Sequence, residues 1–281
     1  RKRLPVISGE LPYEYGGCYT SHADIKRYNR RCEQALTAAE TLSVMASVTG
    51  LPYPARELHQ AWRRVCLNQF HDTLAGTSIG SAYDHARRLA EESLAVAAAV
   101  TENAAKRIAP MRATDADRSP LTVVNTLAWT RSVVVEVDLH NRGWTCATVA
   151  DSTGHTVPSQ VCDGVLWFRG TVPSAGWAVF HVIRSSEEQP SGTADASLVF
   201  HTLHGELQLD PVTGRIARLR DLRTGRELLD RLEHGNTLRL YTEEGHWKSS
   251  WVLGPIRSVE HLRSRIVSVR RGPVADTIRL E

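Results

Sequence analysis

The sequence predicts an α+β multi-domain chain, a three-helix bundle followed by an all-β, sandwich-like domain. Before about residue 115 the apolar residues recur at helical spacing, and beyond it they alternate between turn signals. Between the two lies a polar stretch, Met111–Pro120, preceded by Pro110 and closed by Pro120, which reads as a linker. The predicted organisation is therefore an N-terminal segment over 1–20, the helical domain over 21–110, a linker over 111–120 and the β region over 121–281.

The first helix is expected to start near Thr20-Ser21, either of which is a good N-cap. Ile25, Tyr28, Cys32, Ala35, Ala39, Leu42 and Ala46 then form one stripe, and Gly50 with Pro52 and Pro54 stops it. A second helix is predicted from about Ala55 to Asn68, with Leu58, Trp62 and Val65 on one face. The third runs from about Ile79 to Ile108, presenting Tyr83, Ala86, Leu89, Val96, Val100 and Ala104. Short connections favour an antiparallel bundle, and the many alanines let its helices approach closely.

In the β region, Leu121–Leu127 and Ser132–Asp138 are valine-rich and strand-like. Asp210–Gly214 and Asp221–Gly225 repeat an Asp-x-x-Thr-Gly pattern between apolar stretches, a signal for tight turns between antiparallel strands. Ser185–Ala196 is polar and reads as a loop. The strand-like run Asp276–Leu280 continues to Glu281, which suggests a sheet cut short.

Composition narrows the function classes. At 281 residues with 42% hydrophobic and 23% charged residues, the chain fits a soluble globular protein. No run of eighteen apolar residues is present, so no membrane partner is expected. The formal charge of +3 is too small to call for nucleic acid. Five scattered cysteines without a C-x-x-C pair speak against a disulfide framework and suit a reducing, cytoplasmic setting.

Chemistry concentrates in Asn68–Ser78, where a helix end carries Gln69, His71 and Asp72 into a Gly-containing turn. An imidazole there suits a metal ion and a carboxylate suits sugar hydroxyls, but the same residues also serve as helix caps. Spacing alone does not separate the two, since no second ligand lies one helical turn away. The basic run Lys26, Arg27, Arg30 and Arg31 reads as a solvated helix face. His201 and His204 lack a nearby thiol or an obvious carboxylate partner and read as surface imidazoles. Trp129, Trp144, Trp167, Trp177, Trp247 and Trp251 offer either a sugar-stacking platform or core packing.

Several blocks resemble α-mannosidases of glycoside hydrolase family 38, in chain order. They are Gly9-Glu10-Leu11, Gly17–Ser21, Ile25–Arg30, Asn68–Asp72 with Gly76-Thr77-Ser78, Val123–Ser132, Leu209–Ile216 and Asn236–Tyr241. The likeness is greatest to the bacterial and cytosolic branch. It implies a retaining hydrolase of terminal α-mannosides in mannose-containing oligosaccharides, dependent on a divalent metal, zinc or alternatively cobalt. By the same match His71 is one metal ligand, Asp72 touches the sugar's hydroxyls, and Gln69 and Thr77 support them. The resemblance places the other ligands, the nucleophile and the acid/base in an N-terminal catalytic barrel missing from this chain. No catalytic residue is then expected here, and the chain alone is expected to be inactive. Departures from the family's pattern fall at Tyr15-Gly16 and at Lys248 within Trp247–Trp251, where substrate range is expected to differ. A non-catalytic carbohydrate-binding or interaction module on the same scaffold is the alternative, and a homo-oligomer is compatible with either.

Overall fold

The computed structural model describes residues 5–6, 8–9, 13–109, 117–186, 197–229 and 234–281. Glu10 and Leu11 of the first motif, Pro110, most of the predicted linker (111–116) and most of the predicted polar loop (187–196) lie outside them. The chain divides into two compact units, Arg1–Pro110 with Tyr241–Ser258, and Met111–Leu240 with Val259–Glu281.

The first unit is helical. Among the described residues it has four α-helices rather than three: α1 (Ala23–Ser47), α2 (Ala55–Asn68), α3 (His71–Ala75) and α4 (Gly80–Ile108). Their core joins Cys32, Leu36 and Ala39 of α1 to Leu58, Ala61 and Val65 of α2 and Ala90, Ala97 and Val100 of α4. Most of these are small, which brings the backbones close, as the alanine stripes predict. Two buried polar residues are satisfied across helices. Asn68 Nδ2 donates to Ala86 O at 2.8 Å, and the Ser93 hydroxyl lies 2.8 Å from Leu89 O and 3.3 Å from Ala61 O. Trp62 is only partly buried, because its indole N–H reaches Glu40 Oε1 at 3.0 Å.

The start of α1 differs from the expectation. His22, not Thr20 or Ser21, precedes the helix, in a left-handed conformation (φ 47°, ψ 56°) without a side-chain cap. Ser21 is occupied elsewhere, its hydroxyl donating to Ser250 O at 3.0 Å. His22 is held instead by ring stacking on Tyr83, centroid to centroid 3.7 Å.

The second unit is built of antiparallel sheets. Strands β1 (Arg118–Asn125), β2 (Arg131–Asp138), β3 (Ala147–Asp151), β4 (Thr156–Val157), β5 (Ser159–Cys162), β6 (Val165–Val172) and β7 (Gly176–Arg184) form two of them, ordered β1-β7-β3-β4 and β2-β6-β5. Alternate residues of β6 (Leu166, Phe168, Gly170, Val172) are buried, the period-two pattern of a strand with one covered face. Leu166 and Phe168 share a core with Val149 of β3 and with Phe180 and Val182 of β7. The Phe168 and Phe180 rings meet at 4.9 Å and 57°, a favourable tilted pair. Gly170 makes room for them, since a Cβ there would lie 2.6 Å from Phe180 Cζ. Pro120, expected in the linker, sits in β1 opposite His181; β1 is an edge strand, where a missing N–H costs no ladder bond.

The chain continues through β8 (Val199–His201), β9 (Gly205–Leu209), β10 (Ile216–Asp221), β11 (Arg239–Glu243), β12 (Ile256–His261), β13 (Ile266–Arg270) and β14 (Thr277–Leu280). The order β10-β9-β8 makes a third sheet, while β11-β12 and β13-β14 are two-stranded. Both Asp-x-x-Thr-Gly motifs form the turns their sequence implies. Asp210 Oδ1 accepts from the Val212 and Thr213 N–H groups and the Thr213 hydroxyl at 3.1, 2.7 and 2.8 Å, and Gly214 takes a φ of 65°. Asp221 accepts equivalently from Arg223 and Thr224, followed by Gly225 at φ 72°.

These bonds hold the Asp210 carboxyl below the usual aspartate range, the Thr213 backbone N–H being the largest cause; Thr224 does the same for Asp221. A depressed folded pKa gives stability that is complete above the unfolded value of about 3.9 and lost as pH falls through the folded one. Asp210→Asn is therefore expected to destabilise the second unit at pH 7 and to shrink its acid sensitivity below about pH 4. Urea midpoints of both proteins at the two pH values test this; parallel pH profiles would count against it.

Candidate functional site

The predicted site residues lie in the first unit, around α3. Phe70 is extended (φ −51°, ψ 136°) and breaks the chain away from α2, and a five-residue helix then starts at His71. His71 therefore stands at a helix start rather than a helix end. Gly76 closes α3 with φ 86°, and a Cβ there would lie 2.5 Å from Ser21 O. Left-handed geometry and contact with the Ser21 backbone both require glycine at this position.

The His71 side chain is 79% exposed, with the Phe70 ring 4.2 Å away, centroid to centroid. Its Nε2 lies 3.7 Å from Asp72 Oδ2, too far for a hydrogen bond and close enough for both atoms to face one ligand. Asp72 is the more constrained of the two. Its Oδ1 accepts from the Thr77 hydroxyl at 3.2 Å, and its carbonyl accepts from Thr77 N–H at 3.0 Å. The Tyr83 hydroxyl accepts from Ser78 N–H at 2.7 Å and reaches the Asp72 carbonyl at 3.5 Å. Thr77 is thus a turn residue that holds Asp72.

His71 borders an open cleft of about 590 Å³. Gln69, Leu74 and Ala75 line it from the α2 end and α3; Lys26, Asn29 and Arg30 from α1; and Tyr15, Cys18 and Tyr19 from a 3-10 stretch over Tyr13–Tyr19. Asp72 is not among the lining residues, although it is joined to His71 in sequence. Gln69 Nε2 donates to Asn29 Oδ1 at 3.0 Å and Glu33 Oε1 at 3.1 Å, tying the end of α2 to α1. Arg30 pairs with Glu33 at 2.8 Å.

Of the α1 cations, Arg27, Arg30 and Arg31 are exposed as a solvated face requires, and sequence reasoning misread only Lys26. Lys26 is not on a solvated face: its ammonium donates to Ser21 O and to Leu74 O, both at 2.6 Å. Burial pushes it below the usual lysine range, with Cys18 and Asp24 opposing that fall. Residues 26, 29, 30 and 33 share one helical face, but that spacing does not single out Lys26 from the exposed Arg30. The Tyr15 and Cys18 wall had no local signal, because that stretch is positioned by distant backbone. Gly17 N–H donates to Trp251 O at 2.9 Å, so the Trp247–Trp251 block abuts the wall of the cleft.

Other candidates separate from the site. His201, expected to lack a carboxylate, has Glu206 Oε2 at 3.6 Å from its Nδ1. Trp129, Trp177 and Trp247 are exposed, whereas Trp144 packs against the β core. Among the described residues no group of three or more His, Cys, Asp or Glu side chains is arranged to hold a metal ion. An imidazole is a donor type that suits a zinc-type ion, and His71 alone falls well short of the four donors such an ion takes.

Comparison with known proteins agrees with this layout. Residues 14–108 match the family model described as the α-mannosidase middle domain, and 202–281 that of the glycosyl hydrolases family 38 C-terminal domain. The chain is 30% identical over 253 residues to α-mannosidase 2C1 of Homo sapiens, covering 89% of this chain and 23% of that protein. It is 37% identical over 86 residues to an α-mannosidase of Saccharomyces cerevisiae, covering 29% of this chain and 8% of that protein. A crystal structure of a protein in glycosyl hydrolase family 38 from Enterococcus faecalis shares the fold, with a TM-score of 0.71 at 17% identity over 99% of this chain and 38% of that one. The chain thus spans about a quarter of the length of the curated relatives that it matches over most of its own residues. With its middle-domain helices and its C-terminal-domain strands both matched in order, the chain belongs to glycosyl hydrolase family 38.

Proposed function

We propose that this chain is part of a retaining, metal-dependent α-mannosidase that removes terminal α-mannose from oligosaccharides. The observation that carries this reading is the exposed His71–Asp72 pair, presented on its own short helix beside an open cleft. His71 supplies one metal ligand from the helical unit and Asp72 accepts from sugar hydroxyls. A barrel outside this sequence supplies the remaining ligands, the nucleophile and the acid/base, so the chain alone is inactive. The relatives' names and their fourfold greater length support that division of labour.

The contribution of this chain is positioning. Thr77 and Tyr83 hold Asp72 from two sides, Gln69 fixes the cleft's α1 wall, and His71 is left free to meet a ligand. A zinc-type ion, when bound, would supply Lewis acidity at the sugar, and His71 is the residue of this chain that would hold it. The two β-sheets around Phe168 and Phe180 are read as a sandwich that scaffolds the unit. Five free thiols support a cytoplasmic, reducing setting.

The protein carrying this chain is expected to hydrolyse an aryl α-mannoside and to release the α-anomer first. Activity should vanish on chelation and return with Zn²⁺ or Co²⁺. Activity indifferent to chelator, or release of the β-anomer first, would overturn the reading.

A further inference from the structure

Five residues of helix cannot hold themselves in place: an isolated α-helix needs roughly 12–15 residues to be even marginal in water. The orientation of α3, and so of His71, is set by what grips it from outside. Two of those grips are neutral. Gly76 rests against the Ser21 backbone, and the Tyr83 hydroxyl reaches Asp72 O only at 3.5 Å. The third is charged, with the Lys26 ammonium donating at 2.6 Å both to Leu74 O, in the last turn of α3, and to Ser21 O, just before α1. Carbonyls of a last helical turn have no partner within the helix, and a charged donor is the strongest way to satisfy one. Lys26 is half-buried and spends two of its three donors this way, which removes it from contact chemistry in the cleft that it borders.

We infer that Lys26 is a positioning residue, which clamps α3 to the start of α1 and thereby sets where His71 presents its imidazole to the metal. The inference rests on the reading of His71 as a ligand. Asp24 and Cys18 are the charged or ionisable groups acting on the ammonium, and neither bonds to it, so the clamp is made of backbone carbonyls. Losing the cation leaves two half-buried carbonyls without a donor and frees α3 to shift. Groups that orient a metal histidine typically contribute about 10–100-fold in metal affinity.

The test compares Lys26→Met, Lys26→Gln, Lys26→Arg and His71→Ala in the protein carrying this chain. Zn²⁺ affinity is read by competition with a chromophoric chelator, and amide exchange is read over 71–77. Lys26→Met is expected to weaken Zn²⁺ binding about 10–100-fold and to speed exchange over 73–77, with α2 and α4 unchanged. Lys26→Gln, which keeps a neutral donor, should change both readouts in the same direction, and Lys26→Arg should restore both. Affinity and exchange unchanged in the Met and Gln variants, or no rescue by arginine, would overturn the inference. His71→Ala separates it from the reading beneath it. If that variant keeps its Zn²⁺ affinity, the ligand reading fails. If it loses affinity while the Lys26 variants keep theirs, only the clamp fails.

Discussion

Replacing His71 with alanine is expected to lower kcat/KM for an aryl α-mannoside by roughly a thousandfold, about 4 kcal/mol of barrier, without lowering Tm. The two halves of that result have separate causes. The imidazole is 79% exposed and makes no hydrogen bond in the structure that folding depends on, and substitutions at such positions usually change stability by less than about 0.5 kcal/mol. On the proposed reading its removal would nevertheless take a ligand from the bound ion, and with it Lewis acidity that the reaction draws on. Excess Zn²⁺ should recover part of the loss, because a site with fewer ligands still binds, more weakly. Asp72→Asn should be milder, since the amide keeps an acceptor for the Thr77 hydroxyl and for a sugar. A drop in Tm as large as the drop in activity would show His71 to be a structural residue and would remove the basis of the functional assignment.

Phe168→Ala is expected to destabilise the second unit by about 3–5 kcal/mol, measured as a fall in the urea midpoint. Phe168 is fully buried (0% exposed), contacts Phe180 at 4.9 Å and sits where β6 faces β3 and β7. A cavity at this point is bounded by two hydrogen-bonded sheets, whose backbones cannot easily collapse into it. Phe168→Leu should cost much less, because most of the volume is retained. Val212→Ala, in an exposed turn, should be neutral within about 0.5 kcal/mol. Equal effects at 168 and 212 would mean that this aromatic contact does not organise the core.

The two predictions draw on differently legible parts of the chain. The bounds of α2 and the buried stripes of α1 and α4 could be read in advance because each is a run of ten or more residues with one covered face. The Asp210 and Asp221 turns were legible because their bonds join residues two or three apart. The five-residue α3 was not, since it is shorter than two turns and carries no periodicity. Nor was Lys26, whose partners Ser21 and Leu74 are five and forty-eight residues away. Its place in an apparently solvated basic run concealed its part in the clamp.

His71 and Asp72 stood out in the sequence through their chemistry and through resemblance, while the cleft around them did not. Its walls come from the 3-10 stretch, α1, the end of α2 and α3, and the stretch itself hangs on Trp251 through Gly17. The sequence alone determined the long helices and the Asp-x-x-Thr-Gly turns, because those follow from the period of apolar residues and from bonds between near neighbours. Tertiary structure decided where the short helix points, which cation is buried and which distant backbone closes the cleft. Those depend on hydrogen bonds and contacts between residues far apart in the chain, and no local pattern encodes them.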